Sequence, residues 1–128
     1  MSKIQTKKNS FLINIPVWGE EFVSKTALFL FPSIISQKSL QFLRQNHEFI
    51  FLFCTDNKSE VTLREALKRT NLKPSEYIVT ILFDDTFQKI EKYNEKKYLR
   101  VTSSQNFAIE FCQKQSIDVF IPLYADFI

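Results

Sequence analysis

Apolar stretches of strand length alternate with segments of helical period along the chain. Residues 11–17 are mostly apolar and run into Pro16, Gly19 and the acidic pair Glu20 and Glu21, which suits the positive end of a helix dipole. A helix is expected over 20–35, with Phe22, Thr26, Phe29 and Ser33 on one face, Val23, Leu30 and Ile34 beside it, and Pro32 bending its last turn. Residues 49–54 read Phe-Ile-Phe-Leu-Phe-Cys without polar alternation, as in a strand covered on both faces, so this strand belongs at the centre of a sheet. A polar loop, Thr55 to Ser59, leads to a short helix over 62–70, and Pro74 closes that region. The third strand, 77–83, is rich in β-branched and aromatic residues and stops at Asp84 and Asp85. Residues 87–97 are mainly Lys and Glu around a narrow stripe of Phe87, Ile90 and Tyr93, which reads as a solvated surface helix. Ser103 or Ser104 is placed to cap a further helix ending at 115, with Phe107, Ala108, Phe111 and Cys112 as its apolar face. The last strand, 117–123, is apolar except for Asp118, and Pro122 ends its pairing.

Four strands, each separated from the next by helical sequence, imply a three-layer α/β domain. Its core is a Rossmann-like parallel sheet of four strands with right-handed crossovers and helices on both faces. The 128 residues form one domain, 1–128, with 1–9 as a flexible tail. Such sheets bind ligands at the carboxyl ends of their strands. Here those ends are 16–20, 55–59, 84–86 and 124–126, and three of the four carry carboxylates at the start of the loop.

Composition narrows the chemistry. A single glycine, Gly19, excludes a Walker loop and a dinucleotide fingerprint, each of which needs several glycines to bring backbone N–H groups close to phosphate. A phosphorylated ligand would have to be met by a metal, by Lys or Arg, or by a helix N-terminus. The formal charge of +3 is far below the concentrated positive stripe of a dedicated nucleic-acid binder, so no nucleic-acid partner is expected. Cys54 and Cys112 have no CxxC or CxxH neighbour, which leaves a zinc site unsupported and reads as two buried free thiols. The apolar stretch after Lys3, Lys7 and Lys8 contains Asn14 and Pro16 and meets Glu20 and Glu21, so it is not a secretory signal. No segment has the length of a membrane span, and a cytoplasmic location is expected.

The strand ends INIPVWGEE, FLFCTDNKS and FIPLYADFI resemble, in order and spacing, the nucleotide-binding half of a GT-A glycosyltransferase, over nearly the whole chain. In that family the first strand ends near a Pro, here Pro16, and feeds a helix closing in a segment similar to Phe31, Pro32, Ser33 and Ile34. The resemblance implies that Asp56, in the loop after the second strand, hydrogen-bonds the base of a nucleotide-sugar. It places Arg100 where members often put a cation for phosphate, and Asn106, within Gln105 to Ile109, at the start of the helix before the fourth strand. Trp18, beside the Pro-Gly turn, is a candidate for stacking on the ligand. The fourth strand should end in Asp-x-Asp to hold manganese or magnesium against the donor diphosphate. Asp126 is the one acid present there, because Tyr124 stands where the first Asp usually does.

The resemblance therefore implies a donor-binding domain for a nucleotide-sugar. The acceptor site and general base of that family come from sequence beyond this strand, so independent turnover is not expected, and a truncated or degenerate transferase is the reading. Without covering strands such a sheet is expected to associate with itself or with a partner chain. Three alternatives stand beside this reading. His47 and Cys54 lie seven residues apart in one strand, about 23 Å at ~3.3 Å per residue, and cannot form a dyad. Asp84 and Asp85 recommend a phosphoacceptor or metal pair only weakly, since no Lys ends a later strand in the expected place. A non-catalytic interaction module would use Lys89, Lys92, Lys96, Lys97 and Arg100 with Tyr93 and Tyr98 interleaved, although Glu91 and Glu95 interrupt that surface.

Overall fold

The computed structural model describes residues 9–83 and 93–123. Four strands, β1 (Asn9–Pro16), β2 (His47–Asp56), β3 (Tyr77–Phe83) and β4 (Val119–Pro122), form one parallel sheet in the order β3-β2-β1-β4. Around it lie helices α1 (Glu20–Ile34), α2 (Gln37–Asn46), α3 (Glu60–Lys68) and α4 (Tyr93–Gln115), and a single 3-10 turn, Pro74–Glu76, precedes β3. This is the expected three-layer α/β arrangement, a Rossmann-like fold.

The unbroken apolar run of β2 is explained by its position between β1 and β3. Phe49, Phe51 and Phe53 point to one face, where they join Ile13, Ile15 and Val17 of the β1 segment. Leu52 and Cys54 point to the other, beside Leu12. Register is set by pairs such as Ile13 with Phe51 and Ile13 with Ile121. The crossovers from β1 to β2 and from β2 to β3 move the same way across the sheet, so α1, α2 and α3 share one face, with Val23, Phe31, Leu40, Leu63 and Leu67 in its core. The step from β3 back past β1 to β4 reverses direction. A crossover of constant hand must then use the opposite face, and α4 lies there with Ala108 and Cys112 inward.

Several elements depart from the expectations. Residues 37–46 form α2, an element the pattern did not announce, opened by Ser36, whose hydroxyl accepts the Ser39 N–H at 3.2 Å. Among its described side chains Leu40 and Leu43 join the apolar core, while Phe42 is exposed. The second and more consequential correction concerns α4, which is continuous from Tyr93 to Gln115 instead of two helices with a cap at Ser103 or Ser104. Ser104 is fully buried inside the helix and bonded to the Asn14 side chain, so its hydroxyl is satisfied across the layer and not by a helix end. Residues 87–92 of the expected surface helix lie outside the described residues, as do 1–8 of the expected tail; Asn9 already belongs to β1. Pro32 sits in the last turn of α1, which ends at Ile34, one residue before the expected end.

Two polar clamps hold the amino-terminal side of the sheet. Asp118 accepts from the backbone N–H and hydroxyl of Ser10, both at 3.1 Å, and its own N–H returns to that hydroxyl at 2.9 Å, fastening β4 to β1. Arg44 of α2 donates through Nε to Glu76 at 2.7 Å and through Nη2 to the other Glu76 oxygen and the Asn71 carbonyl. Glu76 also accepts the Lys73 N–H at 2.8 Å. Arg44 therefore holds the Glu76 carboxyl below its ordinary range. Among the described residues, no helix is long and apolar enough to cross a membrane.

Candidate functional site

Because all four strands are parallel, their carboxyl ends share one edge of the sheet. The strand order reverses between β1 and β4, and outside the carboxyl ends of the strands at such a point is where open α/β sheets form a ligand crevice. The rim of this crevice is built from Val17, Trp18 and Gly19 after β1, Asp56 at the end of β2 with 57–59 beyond it, and Leu123 after β4. The amino-terminal half of α4 comes alongside, since that helix runs antiparallel to the strands.

Gly19 has φ 87°, a region where a side chain would be costly, and this is what lets the chain leave β1 and enter α1 within three residues. Val17 extends the ladder by donating to the Cys54 carbonyl at 2.9 Å, so the turn starts from a fixed strand end. Asp56 ties this turn to the next loop. One carboxylate oxygen accepts the Gly19 N–H at 3.3 Å, and the other accepts the Ser59 N–H at 2.8 Å ahead of α3. A carboxylate offers about four lone-pair positions, so Asp56 is both a structural tie and an acceptor with capacity left over.

Trp18 is half-buried, packs against the α4-side core, and carries the Arg100 guanidinium over its ring at 5.3 Å from the centroid. The ring supports Arg100 by a cation–π contact. Arg100 is thereby held one turn before Ser104 on α4, beside the turn that follows β1.

Behind the rim lies a buried polar trio that the sequence did not mark as important. Asn14 Nδ2 donates to Ser104 Oγ at 3.0 Å, Ser104 Oγ lies 3.3 Å from Asn14 Oδ1, and the Cys54 thiol donates to the same Oδ1 at 3.7 Å. Burial pushes the Cys54 thiol up to about 11, so it is neutral and not a nucleophile near neutral pH. His47 opens β2 at the other end of the strand, edge-on to Phe11 at 4.6 Å, in agreement with the absence of a dyad. Thr55 and Ser59, which flank the Asp56 loop, have hydroxyls sealed from solvent with no hydrogen-bond partner. Such unsatisfied buried groups are uncommon and concentrate where a fold sacrifices stability for a site.

The remaining candidates separate from this cluster. Pro16 is buried at the last position of β1, opposite Cys54, and shapes the rim from beneath. Asn106 is exposed on α4, out of phase with the inward Ser104 and Ala108 and about 9 Å along the helix from Arg100 at ~1.5 Å per residue, so the structure does not bring it to the crevice. Asp126, Tyr124, Asp84, Asp85, Lys89 and Lys92 lie outside the described residues. Among the described residues no group of three or more His, Cys, Asp or Glu is placed to hold a metal. The described residues do not by themselves assemble the donor set of a divalent cation. Open volumes occur elsewhere on the surface, about 790 Å³ between α1 and α3 and about 530 Å³ beside α2 and β4.

No family model matches the chain, and neither the curated proteins nor the solved structures include a match.

Proposed function

We propose that this domain binds a nucleotide, as the nucleotide-sugar-binding half of a GT-A-like glycosyltransferase does, in the crevice at the carboxyl ends of β1, β2 and β4. The observation that carries the reading is the placement of Arg100 over Trp18 beside the point where the strand order reverses. A guanidinium there meets a diphosphate without the glycine-rich loop this chain lacks. Asp56, one strand away, retains acceptor capacity for the N–H groups of a base such as uracil. The strand order β3-β2-β1-β4 matches the first four strands of a doubly wound dinucleotide-binding sheet, whose switch point between β1 and β4 supports the same location.

The test is calorimetric titration of the full chain with UDP, GDP and UDP-sugars, with and without manganese, alongside Arg100→Ala and Asp56→Asn. The reading expects saturable binding of at least one nucleotide, weakened on the order of tenfold or more by Arg100→Ala through loss of a charged hydrogen bond. Absence of binding by every nucleotide under both conditions contradicts it. A response to manganese beyond that of the nucleotide alone would support the cation expected at Asp126.

A further inference from the structure

We infer that the outer edge of β3 is a pairing surface for a second copy of this chain. The two edges of the sheet meet solvent differently. β4 is four residues long and Pro122 removes a donor from its ladder. β3 runs for seven residues, Tyr77–Phe83, without a charge, a proline or a glycine. Among the described residues only β2 pairs with it.

An edge strand turns every second residue's N–H and C=O outward, and natural sheets blunt such an edge with lysine, proline, inward charges, short strands or a bulge. β3 has only the bulge. Thr55 pairs with Ile81 and Asp56 with Phe83, so Leu82 is the extra residue, and the stretch from Tyr77 to Ile81 keeps regular register. Ile81 is 43% exposed, more open than the other described side chains of this strand.

The occupant follows from the chemistry of the strand. Tyr77 and Val79 pack into one core and Ile78 and Leu82 into the other, so the edge presents backbone and not the side-chain pockets by which peptide-binding edges select a sequence. An uncharged strand is complementary to itself. Rotated about a two-fold axis, it meets its own copy antiparallel, N–H opposite C=O, and within Tyr77–Phe83 brings no like charges together. A net charge of only +3 per copy adds little repulsion. The pairing joins two four-stranded sheets into one of eight strands, and it leaves the carboxyl-end crevice of each copy outside the interface.

The test is sedimentation velocity of the full chain over a concentration series, with Ile81→Lys as the edge-blunting variant and amide hydrogen exchange of the unsubstituted chain. The expected species at high concentration has twice the 15.2 kDa mass of one copy. Ile81→Lys is expected to raise the dissociation constant at least about tenfold with an unchanged far-UV spectrum, because charge at a paired edge is repelled and desolvated. Outward amides of β3 are expected to gain protection as concentration rises, a readout that stands even if the variant does not fold. A monomer at every concentration overturns the inference. So does a dimer indifferent to Ile81→Lys whose β3 amides exchange at a concentration-independent rate, or a monomer whose outward β3 amides are already protected by its own chain.

Discussion

The two faces of the sheet are held by different physics. Under α1, α2 and α3 the core is phenylalanine and branched aliphatics, with Phe31 and Phe53 in edge-to-face contact at 5.5 Å and Phe51 stacked near Phe53 at 6.3 Å. Under α4 the buried set is smaller, and at its centre Asn14, Ser104 and Cys54 exchange hydrogen bonds. Burial of apolar area has no direction, whereas a hydrogen bond fixes one geometry. The first face therefore carries most of the stability. The second pins α4 to β1 at one longitudinal position, and Arg100, one turn from Ser104, inherits that position.

The largest effect should come from the apolar face. Phe53→Ala is expected to cost ~3–5 kcal/mol in chemical denaturation, since the ring is fully buried and meets aromatic neighbours on both sides. Next comes the pinning contact. Asn14→Leu strands the Ser104 hydroxyl in an apolar layer and should cost about 1–3 kcal/mol, with partial recovery when Ser104→Ala is added, as a double-mutant cycle would show. The same variant should change Trp18 fluorescence, because the α4 register that brings Arg100 to the ring is loosened; unchanged emission would separate the pin from the site.

Titration should distinguish the faces by direction. The Glu76 carboxyl, held low first by its hydrogen bond with Arg44, contributes stability that is present above the ordinary carboxylate range and lost as pH falls through its depressed folded value. The Cys54 thiol behaves oppositely. Raised by burial from its ordinary 9.0 to about 11, it contributes stability that is complete below pH 9 and is lost between about 9 and 11 as the unfolded chain ionises first. Denaturation midpoints at acid and alkaline pH, compared for Glu76→Gln and Cys54→Ala, check both slopes. The smallest expected effect lies at the end of α4, where Ser116 has φ 54° and Ile117 donates to the Cys112 carbonyl at 2.9 Å. Ser116→Gly relieves the left-handed residue and should stabilise by roughly 0.5–1 kcal/mol, visible as a small rise in Tm.

What the sequence disclosed follows the range of each interaction. β3 matches its expected bounds, and β2 was legible as central, because both depend on short runs of one residue class. α2 was not, since its inward positions are few and its text, Gln37 to Asn46, is polar. The capping chemistry of Ser104 in sequence is indistinguishable from that of a buried hydroxyl whose partner, Asn14, is 90 residues away. At the site, Asp56, Trp18 and Arg100 could each be nominated, but only the adjacency of β1 and β2 reveals that Asp56 binds the Gly19 N–H, and only the path of α4 brings Arg100 to Trp18. Asn106 was placed by its neighbours in sequence, while helix phase turns it to solvent.

The most direct test of the nucleotide crevice is an amide chemical-shift map of the full chain titrated with UDP. The account predicts saturable shifts at Trp18 and Gly19, at Asp56 to Ser59 and around Arg100, with the α1–α3 groove silent. Shifts confined to Leu28, Val61 and their neighbours in that groove, or no shifts at any concentration, would contradict it.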